Sequence, residues 1–436
     1  MIIENKPIIL RIALPVLIPG VECLDYLPPP NVPLTQLRRG MRLQVPLKNK
    51  VYVGLLWEIA TYSEVDISKL KAALAVLDTT PLLSEENLNL LAWASHYYYH
   101  PLGEVITAAL PPLLTDSKRP ATVEFIKTPT PVTHPSATQL PLTLNPAQAQ
   151  VVQQVCEHLD QFYPNLLEGV TGSGKTEVYL QIIQQVLEQK RQALVLVPEI
   201  NLTPQMLERF QQRFSVPIVA LHSQLKPSER LQNWLWARAG LAPIIIGTRS
   251  AIWTPLARPG IFIVDEEHDP SYKQQDSFSY SARDIAVIRA QRAQVPVVLG
   301  SATPSLDSLY NVQQHRYSHS VLPERAGNAV HPRFHFVDMR KQNHKNALSQ
   351  PLQEAISHCL AVQQQALIFI NQRGYAPTLM CYQCAWIATC QHCDSHLVYH
   401  ESHRKLICHH CGDTQPVNNT CPHCGHSKLS PLGQGT

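Results

Sequence analysis

The chain has 436 residues, 44% of them hydrophobic, and a formal net charge of +3 at pH 7. That length and apolar content suffice for at least two domain cores, which excludes a disordered chain or a single-motif peptide. The near balance of charge excludes a polycation that grips nucleic acid with its whole surface, so any such affinity must come from a local patch.

The first apolar segment, "PIILRIALPVLIPG", is interrupted by Arg11, Pro15 and Pro19, and no small-residue cleavage site follows it. It reads as an early strand rather than a secretory leader. No run of about eighteen apolar residues occurs elsewhere, so no bilayer span is expected and the cytoplasm is the expected location. The runs "RLQVP" and "VYVGLLWEI", broken by Pro, Gly and Asn, predict a small β-rich domain over residues 1–110 with a helical tail from Leu82 to His100. Within it, Asp25 in "ECLDYLPP" reads as a turn-forming aspartate. Residues 111–143 are rich in Pro and Thr with little periodicity, which is linker composition.

From residue 144 to 325 the runs "ALVLVP", "PIVALH", "PIIIGT", "GIFIVDEE" and "PVVLGSA" alternate with stretches suited to crossover helices. This rhythm predicts an α/β architecture, a parallel sheet with helices on both faces. A further strand is expected at "ALIFINQRG", residues 366–374, in a second region spanning 326–436.

Ahead of the first of these runs stands "GVTGSGKT", with Gly169, Gly172, Gly174, Lys175 and Thr176 in a phosphate-cradle pattern. Glycines let backbone N–H groups turn onto phosphate oxygens, the following helix offers its N-terminus, Lys175 reaches the terminal phosphates and the Thr176 hydroxyl ligates magnesium. About ninety residues on, "IFIVDEEHD" ends a buried strand in acids: Asp265 is suited to hold magnesium and Glu266 to polarise an attacking water. These residues predict a nucleotide hydrolase with ATP and Mg2+ as its ligands and Lys175, Asp265 and Glu266 as its catalytic centre. Directly after the acids, Tyr272, Phe278 and Tyr280 alternate with Lys273 and Arg283 on a Ser- and Gln-rich stretch that reads as too polar for a core. Such a loop can stack rings on bases and place cations on phosphates.

Eight of the eleven cysteines form four CxxC pairs, Cys381/Cys384, Cys390/Cys393, Cys408/Cys411 and Cys421/Cys424, in a module over residues 378–429. Two such knuckles complete a tetrahedron, so four pairs predict two closed Zn2+ sites; spacing alone leaves three ways to join them. His392, His409, His410 and His423 lie among these ligands and could substitute for them, whereas Cys23, Cys156 and Cys359 are isolated and read as packing residues. With every coordination position filled by protein, the ions would fold a module too small to bury its own core.

"GSATPS" at 300–305 and "DEEH" at 265–268 resemble the coupling segment and acidic box of superfamily 2 helicases, "LNPAQ" at 144–148 resembles their adenine-reading segment, and "LVPEINLTPQ", "LHS" and "GTRSAIW" resemble segments that grip a DNA strand. Together with "DPSYKQQDSFSYSARD" and "NQRGYAP", the whole string resembles the PriA family of replication-restart DNA helicases. The resemblance implies a RecA-like first helicase lobe over 144–325, a partial second lobe over 326–436 that carries the zinc module, and an ATP-dependent 3′-to-5′ DNA helicase. It implies Gln148 on adenine, Arg249 and the aromatic loop on DNA, and Asp25 meeting the 3′ hydroxyl and terminal base of a nascent strand. It favours a nested zinc arrangement, with Cys381, Cys384, Cys421 and Cys424 on one ion and the inner four on the other. The implied partners are forked and single-stranded DNA, other primosome proteins and single-stranded DNA-binding protein.

Three departures accompany the resemblance. Residues 111–143 stand where the family carries a winged-helix domain, Gln372 stands beside Arg373 where a basic residue is usual, and "SPLGQGT" closes the chain where the family continues through lobe two. A truncated chain is therefore expected that binds nucleotide and turns it over poorly, the alternative to a working helicase being a fork-binding scaffold.

Overall fold

The computed structural model describes residues 7–16, 21–118, 141–198, 204–275, 277–325, 333–338, 348–369, 378–392, 396–400, 405–408, 412–427 and 429–432. The chain divides into two compact units, Met1–Val330 and His331–Thr436. Among the described residues no helix is long and apolar enough to cross a membrane.

The first unit opens with strands β1 (Ile9–Ala13), β2 (Leu24–Tyr26), β3 (Arg42–Leu47), β4 (Lys50–Ala60) and β5 (Ala75–Val76). They pair antiparallel in the order β2-β1-β4-β3-β5. Helix α1 (Glu85–Tyr97) starts where the Ser84 side chain accepts from the Asn87 N–H, a cap that satisfies one of the helix's orphan donors. Helix α2 (Leu102–Ala109) and the single turn α3 (Pro112–Thr115) follow. This last turn corrects the expected linker boundary. Leu114 is fully buried, its carbonyl accepts from the Arg42 guanidinium at 2.9 Å, and the Ser117 carbonyl accepts from Gln44. Proline composition alone read as linker, but Pro112 occupies the first helical turn, where its missing N–H costs nothing. Residues 119–140 of the expected linker lie outside the described residues.

Next come α4 (Pro146–Cys156), β6 (Tyr163–Gly169), α5 (Lys175–Glu188), β7 (Gln192–Leu196), α6 (Pro204–Arg213), β8 (Ile218–Leu221), α7 (Pro227–Arg238), β9 (Ile244–Gly247), β10 (Pro259–Asp265), α8 (Ala282–Ala293), β11 (Pro296–Ser301), α9 (Leu306–Gln313) and β12 (Ser318–Leu322). Seven strands form one sheet in the order β12-β6-β11-β10-β7-β9-β8, and every neighbouring pair is parallel. β7, β9 and β11 are buried along their whole length, as expected for strands covered on both faces.

One face packs on Val151, Ile182, Ile183, Val186 and Phe210. The other packs on Trp234, Trp253 and Ile285 and runs continuously into Leu88, Leu91 and Ile106 of α1 and α2. The N-terminal helices thus share a core with the parallel sheet. Polar contacts reinforce this junction: the Arg238 guanidinium donates to the carbonyls of Leu82 at 2.7 Å and Pro81 at 2.8 Å.

The second unit contains α10 (Gln350–Ala361) and a five-stranded antiparallel sheet of β13 (Thr378–Cys381), β14 (Val398–His400), β15 (Lys405–Ile407), β16 (Thr414–Pro416) and β17 (Leu429–Leu432), in the order β16-β15-β14-β13-β17. Among its described residues the core consists of Leu379, Ala388, Leu397 and Leu406 with Cys390 and Cys408. The strand expected over 366–374 does not form at 366–369. Leu367 is 96% exposed and Phe369 81%, and an apolar run becomes a strand only where a neighbour accepts its ladder. Residues 370–374, with Gln372 and Arg373, lie outside the described residues.

Candidate active site

Three strand ends meet at the C-terminal edge of the parallel sheet, where α/β folds present ligand-binding groups. The register sets Asp265 of β10 beside Gly300 of β11, and Ser301 of β11 beside Glu168 of β6. After Gly169 the backbone passes through Gly172 at φ +80° and Gly174 at φ +83°. L side chains rarely adopt those angles, and at Gly174 a Cβ would also press on the Gln148 amide. Helix α5 begins on the next residue, so its first N–H groups lack helical partners at the mouth of the cleft. Lys175 Nζ donates to the Gly169 carbonyl at 2.9 Å and lies 3.9 Å from Glu266 Oε1. Thr176 lines the same cleft, about 530 Å³ in volume, with Thr171, Arg209, Asp265 and Glu266. That size suits a nucleotide-sized ligand.

Asp265 is held at both ends. Its Oδ1 accepts from the Tyr179 hydroxyl at 3.0 Å, and its backbone carbonyl accepts from the Tyr272 hydroxyl at 2.6 Å. Burial, then the neighbouring Glu266, pushes the Asp265 carboxyl above its ordinary pKa, against the Tyr179 hydrogen bond and Lys175. Burial and then the Asp265 carboxylate raise the Tyr179 hydroxyl well above its own, so it remains a donor. Glu266 takes φ +46°, a left-handed conformation that costs a β-substituted residue energy and is retained where the surroundings enforce it. Its carboxylate lies between Lys175 and His268, whose Nδ1 is 3.7 Å away. The same nitrogen is 2.7 Å from Ser301 Oγ.

Sequence reading passed over Glu267, yet its side chain is fully buried. It accepts from the Ser305 N–H at 2.6 Å, from the hydroxyls of Ser305 and Ser308 at 2.9 Å, and from Arg283 Nη1 at 3.1 Å. It therefore ties the acidic box to the cap of α9. Nothing in "DEEHD" says which glutamate faces inward, because the turn after β10 decides it. Tyr179 carried one overlooked signal: it follows Lys175 by four residues, on the same helix face.

The structure corrects several readings. Tyr272, Phe278 and Tyr280 are buried, at 2%, 3% and 4% exposure, so the stretch is not too polar for a core and its rings present no open face for stacking. Phe278 packs with Trp253, Tyr98 and His100, and Tyr280 with Trp253, while the Tyr272 hydroxyl donates to the Asp265 carbonyl; the intervening Gln275, Ser277 and Ser279 are exposed while the rings point inward. Lys273 is exposed. Arg283 is surrounded by Glu267, Asp284 and Asp307 rather than offered to phosphate. Arg249 donates to the carbonyls of Ser271 and Lys273, bracing the loop from behind. Gln148, expected on adenine, is buried, with Oε1 accepting from the Asn145 N–H and Nε2 donating to the Ser173 carbonyl. Its amide links the cap of α4 to the phosphate cradle. Asp25 lies in β2 rather than in a turn, opposite Arg11, whose Nε is 3.7 Å from its carboxylate; pairing with β1 overrides the local turn preference.

In the second unit, the thiols of Cys381, Cys384, Cys421 and Cys424 lie within 4.8 Å of one another. Cys381 and Cys424 are 3.6 Å apart, Cys384 and Cys421 3.7 Å. A disulfide requires about 2.05 Å, whereas four thiolates at Zn–S distances of about 2.3 Å stand about 3.8 Å apart. The donor set fits a structural zinc ion, and it joins the outermost two pairs. Both knuckles close alike, with Ala385 N–H donating to the Cys381 carbonyl and Gly425 N–H to that of Cys421. Gly412 N–H repeats the bond to Cys408. Of the inner four, Cys390 and Cys408 are buried, and Cys393 and Cys411 lie outside the described residues. His392 is exposed and lies 3.4 Å from Asp413.

Comparison with known proteins completes this picture. Residues 11–111 match the PriA 3′DNA-binding domain pattern, 145–312 the DEAD/DEAH box helicase pattern, and 390–416 the Cys-rich region domain of PriA DNA helicase. The replication restart protein PriA of Haemophilus influenzae is 39% identical over 496 aligned positions that take in 98% of this chain and 67% of that protein. The chain belongs to the PriA family. The PriA proteins of Rickettsia prowazekii and Bacillus subtilis are 36% and 40% identical, over 92% and 68% of this chain. The chain spans 60% and 37% of those two relatives. The alignment with the Haemophilus PriA is longer than the 436 residues available here, so stretches of that PriA have no counterpart in this chain. Among solved structures, RecG bound to a three-way DNA junction aligns over 43% of this chain and 25% of its own, at 23% identity and a TM-score of 0.35.

Proposed function

We propose that this chain acts as an ATP-dependent 3′-to-5′ DNA helicase of the PriA type, which recognises stalled replication forks and begins primosome assembly for replication restart. The observation that carries the reading is the convergence of Lys175 and the Asp265–Glu266 pair on one cleft, in a chain whose N-terminal hundred residues match a 3′DNA-binding domain. The backbone N–H groups from Gly172 to Thr176 and the Lys175 ammonium receive the β- and γ-phosphates of ATP. Thr176 and Asp265 are the residues placed to hold Mg2+, which when bound neutralises charge on the phosphate oxygens. Glu266 orients and polarises the attacking water, with the Lys175 ammonium 3.9 Å from its carboxylate.

Asp25 supplies an acceptor for a 3′ hydroxyl, since a carboxylate accepts from a hydroxyl and repels a phosphate. Two zinc ions, one on the outer and one on the inner cysteine quartet, fold the Cys-rich module. Single-stranded DNA-binding protein and other primosome proteins are the expected partners, and the cytoplasm the expected compartment.

The test compares ATP hydrolysis with and without a DNA fork that has a free leading-strand 3′ end. Stimulation by the fork, its absence with a matched RNA, and loss of both nucleotide binding and turnover in Lys175→Ala are expected. Hydrolysis that survives Lys175→Ala, or that RNA stimulates equally, refutes the assignment.

A further inference from the structure

Tyr179 is 1% exposed in the middle of the unit, yet its hydroxyl reaches the sheet edge and donates to Asp265 Oδ1 at 3.0 Å. Buried tyrosine hydroxyls need a partner, and this one has a carboxylate. Two features mark the contact as built. Tyr179 lies four residues after Lys175 on α5, so one helix face carries both the cation that approaches Glu266 and the hydroxyl that approaches Asp265. Gly300, level with Asp265 in the neighbouring strand, leaves the space the hydroxyl occupies, and any Cβ there would overlap the Tyr179 oxygen. The glycine of "GSATPS" is thus explained by a tyrosine more than a hundred residues earlier. The main chain of Asp265 is held separately, by the Tyr272 hydroxyl, and the carboxylate itself takes donors from the adjacent Glu266 N–H and from the Tyr179 side chain, which reaches it from another element.

We propose that Tyr179 is a positioning residue for magnesium: it clamps one oxygen of Asp265 so that the other is presented to the ion, and Gly300 exists to admit its hydroxyl. The proposal rests on the nucleotide-site reading above and deepens it, because it says how the phosphate helix and the acidic strand are kept in register. A donor held at Oδ1 selects one carboxylate rotamer before the ion arrives, which lowers the ordering cost of binding.

The experiment uses the whole 436-residue chain and the fluorescent nucleotide N-methylanthraniloyl-ADP, titrated first in EDTA and then with increasing MgCl2. In Tyr179→Phe, the Mg2+ concentration for half-maximal enhancement of nucleotide binding is expected to rise about tenfold, the loss typical of one hydrogen bond to a charged group. Affinity in EDTA should stay within about twofold of wild type on the same scale. Gly300→Ala, which displaces the hydroxyl without removing it, should show the same split, and it reads the contact if Tyr179→Phe does not fold. In an Asp265→Asn background, Tyr179→Phe should add nothing. A folded Tyr179→Phe with an unchanged Mg2+ requirement overturns the proposal, as does a parallel loss of affinity with and without Mg2+, which marks a packing role. A wild-type chain that binds the probe neither with nor without Mg2+ overturns the nucleotide-site reading itself.

Discussion

Asp265 and Glu267 are two acids two positions apart that meet opposite fates. Asp265 is half-buried where it lines the cleft, and its proton affinity is raised, chiefly by desolvation. A folded-state value above the unfolded one, near 4, means that the folded protein holds the proton more tightly. Its contribution to stability is complete below the unfolded value and declines as pH rises through the folded one. Without Mg2+ at pH 8, Asp265→Asn should therefore melt higher than wild type, and the gap should close as the pH approaches 4; thermal melts across pH check this. Glu267 is buried but satisfied by Arg283 and three further donors. Removing one partner of such a pair costs about 3–5 kcal/mol, so Glu267→Ala should lower unfolding stability in urea by that much. Glu267→Gln, which keeps an acceptor for the serines, should cost less.

At the scale of elements, the loop after β10 decides most. Its rings interlock with Trp253 and with Tyr98 of the N-terminal domain, and Tyr98 also accepts from the N–H of Ser281, the residue that caps α8. A ring displayed for DNA would cost little stability when truncated; Phe278→Ala should cost about 3–5 kcal/mol, as a buried Phe does, measured by chemical denaturation without DNA. The helix α5 depends on its N-terminal glycine. Gly174→Ala places a side chain at φ +83° against Gln148, a strain of about 1–2 kcal/mol, and should weaken nucleotide binding in the fluorescent titration while leaving far-UV circular dichroism unchanged. Alternation of apolar strands with amphipathic segments made β7 to β11 legible. The aromatic loop was misread because polar residues between rings mimic a surface when the partner ring, Tyr98, lies some 180 residues away in sequence.

At the scale of the molecule, the two units are stabilised by different means. The first has a continuous core that joins the N-terminal helices to one face of the parallel sheet. Among the described residues of the second, the core comprises a few side chains; a core of that size calls for a staple, which a zinc ion on the cysteine quartet would supply. Cys421→Ser should remove one equivalent of zinc by metal analysis. It should also increase hydrogen exchange at Leu379 and Cys381, the strand that carries the first knuckle, because structural zinc binding is folding energy.

The amino-acid sequence by itself determined what depends on local spacing: the glycine turn before Lys175, the acids at a strand end, the paired cysteines and the α/β rhythm. Each follows from backbone geometry or ligand number within a few residues, and no distant partner is needed to recognise it. Tertiary structure alone decided which of two adjacent glutamates is buried, that Gln148 binds backbone, that Asp25 faces Arg11 from a strand, and that Tyr179 reaches Asp265 through the gap at Gly300. Those outcomes depend on side chains brought together by sheet order, and the free energy of a buried polar group is set by partners that one-dimensional spacing does not place.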